Sequence, residues 1–464
     1  MKPPARPRGQ HSTNLKPSRL SPRQAALETL LEVGRGAHLD AALDARLRQI
    51  ERPEDRGLAT TIAYGTLRWR GQIDPVLAGL SSRPIDTLDR RLLEAARIGL
   101  FQLMYLSRVP HHAAVAETVA LIPEQHLRNF ANGVLREAAR RVEKGDLRYS
   151  DTSSPETLAR TASLPLWYVR RLWHRLGPEA AVRAAEALNQ TPPVFLRINT
   201  LKITREGLLD RLRVVGTEPA ACAFSPAGIE LNGARAITDQ ITGGGFAFIQ
   251  DEASQMVPLL VDPKPGEKIL DLCAAPGGKT LGLALLSGGK AEITAVDRSA
   301  PRLKRIDTLA RSLAIPGIRT MQADVSAPVP GLAPQSFDRV LVDPPCSAMG
   351  TLHRNPDARW TRREEDLPLY AATQRKILEQ GWNLLKPGGR LVYSVCTVEP
   401  EETTGVTGAF LAAHADARPV PVTRAAAGLA AETAARISTR EGHFRMTPWD
   451  HRTDGFFAAV LGKD

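Results

Sequence analysis

The sequence predicts an all-α bundle in its N-terminal half, then a small α+β subdomain, then a doubly wound, Rossmann-like α/β sheet. Three observations carry this. Residues 268–280 read Lys-Ile-Leu-Asp-Leu-Cys-Ala-Ala-Pro-Gly-Gly-Lys-Thr: a short apolar strand, a turn with almost no side-chain bulk, and a helix start. From there on, apolar runs of strand length alternate with helical stretches, the pattern of a parallel sheet. Between 21 and 145, apolar residues recur at helical spacing and prolines cut the run into helix-sized pieces.

Length and composition set the bounds. A chain of 464 residues has room for about two to four domains of roughly 150 residues each. Hydrophobic residues make up 43%, enough for real cores. The net charge is +11 and the pI is about 9.7. That balance points to a polyanionic partner, most simply nucleic acid. No apolar run approaches the roughly 18 residues of a membrane span, and no signal-peptide core is present. A cytoplasmic monomer with no membrane partner is therefore expected. The four cysteines, Cys222, Cys273, Cys346 and Cys396, show no Cys-x-x-Cys spacing. That argues against a metal site and against a disulfide framework.

Residues 1–20 carry Lys2, Arg6, Arg8, Lys16 and Arg19 with no acid, and read as a disordered basic tail. In the helical region 21–145, Ala25, Leu27, Leu30 and Leu31 form one apolar stripe. Leu92, Leu93, Ala96, Leu100, Leu103 and Met104 form a stronger one. The wording from Val109 to Val119, with Phe130-Ala131-Asn132-Gly133-Val134-Leu135-Arg136, resembles the NusB-like RNA-binding helical domain. The resemblance implies RNA contact. Residues 146–160 are polar and read as a linker. Residues 161–250 read as the small α+β subdomain. It opens with Leu164 to Trp173, where aromatics interleave with arginines, a pattern compatible with RNA stacking. An amphipathic helix burying both tryptophans is the expectation there. The subdomain leads into the core, 251–464, through Gln250-Asp251-Glu252-Ala253-Ser254.

In the core, strands are expected at 269–272, 292–296, 318–322, 337–342 and 390–395. Asp297, Asp324, Asp343 and Cys396 stand at the carboxyl ends of the last four. Ligands of open α/β sheets bind at that edge. Asp297 lies twenty residues after Gly277, the distance at which an acid accepts ribose hydroxyls in nucleotide-binding folds. One such Asp is usually a helix cap; several on one edge beside a glycine turn are not. The turn nearly matches the phosphate-binding pattern G-x-x-x-x-G-K-[ST], but Cys273 takes the first glycine position, which disfavours a nucleoside triphosphatase. The dinucleotide pattern G-x-G-x-x-G is also absent. A methyltransferase site remains, with the small residues admitting the carboxypropyl arm of S-adenosylmethionine, Asp297 on the ribose and Asp324 near the adenine. Asp343-Pro344-Pro345 is followed by Cys346 rather than by a base-stacking aromatic, and Cys396 ends the next strand. Neighbouring strands lie about 5 Å apart, so the two thiols can share a pocket. A thiolate adding to carbon 6 of cytosine makes carbon 5 nucleophilic. Cys222 and Cys273 are expected to be small buried hydrophobes.

The motifs Asp271 to Thr280, Asp343-Pro344-Pro345-Cys346-Ser347 and Ser394-Val395-Cys396-Thr397, with Asp454-Gly455-Phe456-Phe457 as closing strand, resemble the Nol/Nop/Sun family of RNA cytosine-5 methyltransferases. The match spans about 160–464. With the NusB-like region, the chain resembles the bacterial members that modify a cytosine of small-subunit (16S) ribosomal RNA. The resemblance implies that Cys396 is the nucleophile and that Cys346 assists product release; in the mechanism expected here, Asp343 hydrogen-bonds the base. It also implies that S-adenosylmethionine is held by Cys273, Ala274, Ala275, Pro276, Gly277, Gly278, Lys279, Asp297, Asp324 and Asp343, without a metal. Three positions depart from the usual pattern: Val395 where Thr often precedes the nucleophile, Thr403 where Asn often follows Glu-Glu, and His353 in place of a common Arg. None removes a catalytic group. The alternative reading is an RNA-binding assembly factor with secondary or lost methyl chemistry, which the intact Cys346 and Cys396 disfavour.

Overall fold

The structure is a computed structural model that describes residues 20–147, 149–232, 243–426 and 428–464. The expected basic tail lies outside the described residues, Leu20 excepted. The chain forms two compact units, one through Leu164 and one from Pro165.

The first unit is helical throughout its described residues: α1 (Pro22–Val33), α2 (Leu39–Leu47), α3 (Pro53–Arg68), α4 (Arg70–Leu80), α5 (Arg90–Tyr105), α6 (His111–Val119), α7 (Gln125–Lys144) and α8 (Pro155–Thr161). Both apolar stripes face inward: Ala25, Leu27, Leu30 and Leu31 on α1, and Leu92, Ala96, Leu100 and Leu103 on α5, are buried. Side chains start the helices. Ser21 accepts from the Gln24 N–H and Asp89 from the Leu92 N–H, each satisfying a donor that the first turn leaves open. Pro53 opens α3, but Pro75 lies inside α4 rather than between helices. The stretch expected to be a linker holds α8, started by a capping box between Ser154 and Thr157. Ser163, just beyond it, accepts from the Gly71 N–H at 2.8 Å, which ties this segment to the rest of its unit.

The second unit begins with α9 (Leu166–Leu176) and α10 (Pro178–Ala187). Helix α9 buries Tyr168, Val169 and Leu172. Against expectation, Trp167 and Trp173 stay half-buried. Two prominent stripes compete on a helix of this length, and the one at 168, 169 and 172 wins the core.

An antiparallel four-stranded sheet follows, with β1 (Val194–Ile198), β2 (Glu218–Ala221), β3 (Gly228–Asn232) and β4 (Ala247–Ile249) in the order β2-β3-β1-β4. Helix α11 (Arg205–Val214) packs Leu208, Leu209 and Leu212 on Leu196, Ile198, Ile229 and Leu231.

Helix α12 (Glu252–Val261) leads into the large sheet. Its parallel strands are β5 (Lys268–Leu272), β6 (Glu292–Asp297), β7 (Ile318–Gln322), β8 (Phe337–Val342) and β9 (Leu385–Val395). The outer strands are β10 (Ala417–Pro419), β11 (Phe444–Met446) and β12 (Phe456–Lys463). The order is β10-β12-β9-β8-β5-β6-β7, with β11 also on β12, and β12 runs antiparallel to β9. Strand order therefore reverses between β5 and β8, the switch point at which doubly wound sheets open a crevice. Helices α13 (Gly278–Leu286), α14 (Ala300–Leu313), α15 (Leu367–Leu384) and α16 (Thr404–Ala413) complete the layers. Buried Leu270, Leu272, Val340, Val342, Leu391 and Tyr393 form one face of the core; Ile269, Leu341 and Val392 belong to the other. Strand β9 starts earlier than expected because Leu385 pairs with Phe337 while Arg390 pairs with Arg339, so residues 386–389 bulge out of register.

Candidate active site

The carboxyl edge of the large sheet gathers most of the residues singled out from the sequence. Strand β5 ends in the turn Cys273 to Gly277. The turn has a left-handed residue at each end, Cys273 with φ 62° and Gly277 with φ 105°, and the Ala275–Pro276 peptide is cis. A β-carbon on Gly277 would also fall 2.8 Å from Ile306, so only glycine fits there. The turn is fastened to β6 by the Ala274 N–H on the Val296 carbonyl (3.0 Å) and the Ala275 N–H on Asp297 Oδ2 (3.2 Å). Asp297 is buried, and its Oδ1 accepts from the Ser299 N–H at 2.9 Å. Asp324 sits at the exposed end of the same edge, where Ser326 donates from its N–H (2.9 Å) and hydroxyl (2.7 Å). Those bonds hold its carboxyl below the usual range.

Strands β8 and β9 are neighbours, so Asp343-Pro344-Pro345-Cys346 and Cys396 leave the sheet side by side. Their sulfurs are 3.2 Å apart. The Cys346 thiol is pushed well up, first by its hydrogen bond to Cys396, then by burial and the Cys396 charge. Asp343 accepts from Ser394 Oγ at 2.8 Å and from Lys279 Nζ at 2.6 Å. Lys279 also lies over the Phe456 ring at 4.8 Å. Burial alone would lower the Lys279 pKa; the charge and hydrogen bond of Asp343, with Cys396 and Asp271, more than offset this and raise it. A lasting cation therefore stands within electrostatic reach of Cys396. Lys279 came from the sequence as part of the cofactor turn; its ammonium is placed on Asp343.

The two cysteine loops are locked to each other. The Ser347 hydroxyl donates to Thr397 Oγ1 (3.2 Å), and the Ser347 N–H donates to Glu402 (2.9 Å), which also accepts from Gln374 (2.8 Å). The Gly350 N–H meets the Cys396 carbonyl at 3.1 Å, and the Gly455 N–H meets the Gly350 carbonyl at 2.7 Å. Beyond Cys396, buried Glu399 accepts from Arg171 (2.7 Å) and Arg175 (2.9 Å) of α9, and Arg171 continues to Glu401 and Glu364. These anchors were missed in the sequence. The i, i+4 spacing of Arg171 and Arg175 against the run Glu399, Glu401, Glu402 was the available signal. Arg171 and Arg175 are thus committed to acids within their own unit.

Cys222 is buried as expected, whereas Cys273 is only half-buried; burial first, then nearby carboxylates, pushes each thiol up. Among the described residues there is no cluster of His, Cys, Asp and Glu able to hold a metal, and no helix is long and apolar enough to cross a membrane.

Two features of the edge suit an adenosyl cofactor with a charged arm. The Gly277–Gly278 turn brings backbone without side-chain bulk to the start of α13, and β-carbons there would press on Ile306 and Gln250. Buried polar atoms beside it, Asp271 Oδ1 and Gln250 Oε1, have no hydrogen-bond partner. Burial, helped by Asp343 and Asp297 and opposed by the Thr280 hydroxyl and Lys279, lifts the Asp271 carboxyl to about 7.

Comparison with known proteins agrees with this geometry. Residues 258–462 match the family model described as 16S rRNA methyltransferase RsmB/F, residues 20–140 the NusB family, and residues 164–238 the ferredoxin-like domain of RsmF/B-like methyltransferases. The chain is 33% identical over 453 residues to a probable ribosomal RNA small subunit methyltransferase B of Synechocystis, covering 96% of this chain and 100% of that one. It is 33% identical to ribosomal RNA small subunit methyltransferase B of Pseudomonas syringae pv. tomato, covering 96% and 97%. A methyltransferase homologue from Pyrococcus horikoshii, 28% identical, superposes with a TM-score of 0.56 over 68% of this chain and 100% of its own. Another crystal structure, 26% identical, reaches a TM-score of 0.79 over 96% and 99%. With its helical N-terminal unit, its ferredoxin-like segment and its thiol-bearing α/β sheet, the chain belongs to the RsmB/F family of 16S rRNA methyltransferases.

Proposed function

We propose that this enzyme methylates carbon 5 of a cytosine in small-subunit ribosomal RNA through a covalent bond between Cys396 and the base. The observation that carries the reading is the pair of thiols 3.2 Å apart at the ends of adjacent strands, beside a Lys279–Asp343 ion pair.

The target cytosine leaves its stack and enters the crevice, at least cost from a loop or bulge. Asp343 orients it. Its carboxylate has about four lone-pair sites, two of them taken by Ser394 and Lys279, so it can accept from the exocyclic amino group. Cys396 adds as thiolate to carbon 6. The Cys346 sulfur stands 3.2 Å from that of Cys396. Addition places the electron pair at carbon 5. S-adenosylmethionine supplies the electrophilic methyl, and the turn 273–279 with Asp297, Asp324 and Asp343 would hold it. A base then takes the carbon 5 proton, the carbon 6–sulfur bond breaks, and the Cys346 S–H stabilises the departing Cys396 thiolate. The NusB-like unit supplies further RNA contact. We take the enzyme to act as a cytoplasmic monomer.

The test uses labelled S-adenosylmethionine and unmodified small-subunit ribosomal RNA, followed by digestion to nucleosides. Label should appear in 5-methylcytidine and vanish with Cys396→Ala. Label in another nucleoside, or label that survives Cys396→Ala, would sink the reading.

A further inference from the structure

The function above leaves two buried groups at the cofactor turn without a role, Asp271 and Gln250, and the amide of Gln250 is the one that rests on the turn's glycines. Gln250 follows β4 and is 7% exposed. Its backbone is fixed on both sides: its N–H donates to the Phe195 carbonyl (3.0 Å), and its carbonyl accepts from Gln255 Nε2 (2.9 Å). Its side chain runs to the first residue of α13. A β-carbon on Gly278 would lie 3.1 Å from Gln250 Nε2 and 3.3 Å from Cδ, so the amide rests on the glycine turn itself. Nε2 donates to Ser254 Oγ at 3.1 Å, while Oε1 has no partner. Turning the amide over would satisfy Oε1 from the Ser254 hydroxyl and orphan the nitrogen instead. Buried amide atoms are almost always paired, so an unpaired one at a cofactor turn calls for an occupant.

The layout of the edge says which part of the cofactor arrives there. A sulfonium carries three arms. The adenosine arm is drawn to the β6 end, where Asp297 lies, and the methyl must face the thiols at the β8 and β9 ends. The third arm, the aminocarboxypropyl chain, is left with the turn between them, at the start of α13. Its carboxylate suits the open N–H groups of a helix start. Its ammonium needs an acceptor that those N–H groups cannot provide. We propose that Gln250 is a cofactor-binding residue whose Oε1 accepts a hydrogen bond from the α-ammonium of S-adenosylmethionine. The inference rests on the methyltransferase reading and adds a residue to it.

Binding of S-adenosylhomocysteine and of 5′-methylthioadenosine, which lacks the amino acid arm, would be measured by calorimetry on the full chain, with melting temperature as a check on folding. Q250A should weaken S-adenosylhomocysteine by about 10- to 100-fold, the loss expected for one hydrogen bond to a charged group, and leave methylthioadenosine within about twofold. Q250E keeps an acceptor and should bind S-adenosylhomocysteine at least as well as the wild type. Equal weakening of both ligands by Q250A, no weakening, or loss with Q250E matching that with Q250A would overturn the assignment. Failure of the wild type to bind S-adenosylhomocysteine at all would overturn the methyltransferase reading beneath it.

Discussion

Replacing Glu399 by Gln should unfasten the loop that carries Cys396, the nucleophile we propose. The Glu399 side chain is fully buried and accepts from Arg171 and Arg175, which are 19% and 25% exposed. Removing one side of a buried ion pair costs about 3–5 kcal/mol, because the remaining charge is stranded. The low end applies here: Arg171 keeps Glu401 and Glu364, Arg175 keeps the Val398 carbonyl at 3.1 Å, and water reaches both guanidinium groups. At about 3 kcal/mol the second unit, from Pro165 to Asp464, should melt roughly 5 °C lower. The same loop begins at Cys396 and is stitched to Ser347 through Thr397, so loosening it also spoils alignment. A misplacement of about 1 Å is worth roughly 100-fold in rate. Thermal unfolding, with single-turnover methyl transfer at a temperature where the variant is folded, reads both effects. Adding Arg175→Met to Glu399→Gln should recover part of the lost stability, since it removes the stranded charge. A melting point within about 1 °C of wild type, with unchanged turnover, would refute the idea that these ion pairs hold the loop.

Three further outcomes follow from the same geometry. The Asp271 carboxyl titrates near about 7 when folded and near about 3.9 when unfolded, so its contribution to stability is full below the unfolded value and is lost as pH rises through 7. Asp271→Asn should therefore raise the melting temperature more at pH 8 than at pH 5, and an equal or reversed gain would contradict the burial argument. Gly350→Ala would put a β-carbon 2.1 Å from the Gly455 carbonyl oxygen, so it should cost about 1–3 kcal/mol or more and lower methyl transfer. Near-wild-type melting would show that this contact relaxes freely. Oxidised glutathione should form a bond between Cys346 and Cys396, releasing two equivalents of glutathione thiol and stopping turnover until a reductant is added. Titration should then find two thiols fewer than the wild-type count, and persistence of activity would argue that the sulfurs do not meet.

The catalytic sheet was legible because its strands are short apolar runs ended by acids or thiols. β7 and β8 have the expected limits, Ile318–Gln322 and Phe337–Val342. The site was legible for a similar reason: adjacent parallel strands force Asp343, Cys346 and Cys396 together. What stayed hidden were interactions between residues far apart in sequence. Arg171 lies 228 positions before Glu399, so the only signal was the matched spacing of two arginines and a distant run of acids. In α9 both tryptophans were expected in the core, which Tyr168, Val169 and Leu172 occupy instead. The helix within residues 146–160 was obscured by polar composition, although Ser154 and Pro155 are a cap and a first-turn proline.

The division of labour between the two thiols is the central claim, and trapping tests it most directly. Cys346→Ala, Cys396→Ala and the double variant would each be incubated with S-adenosylmethionine and small-subunit ribosomal RNA, then denatured and resolved for protein bound covalently to RNA. Cys346→Ala should accumulate the adduct, because addition proceeds and release stalls; Cys396→Ala and the double variant should show none. An adduct that survives loss of Cys396, or its absence from Cys346→Ala with turnover unchanged, would contradict the assignment.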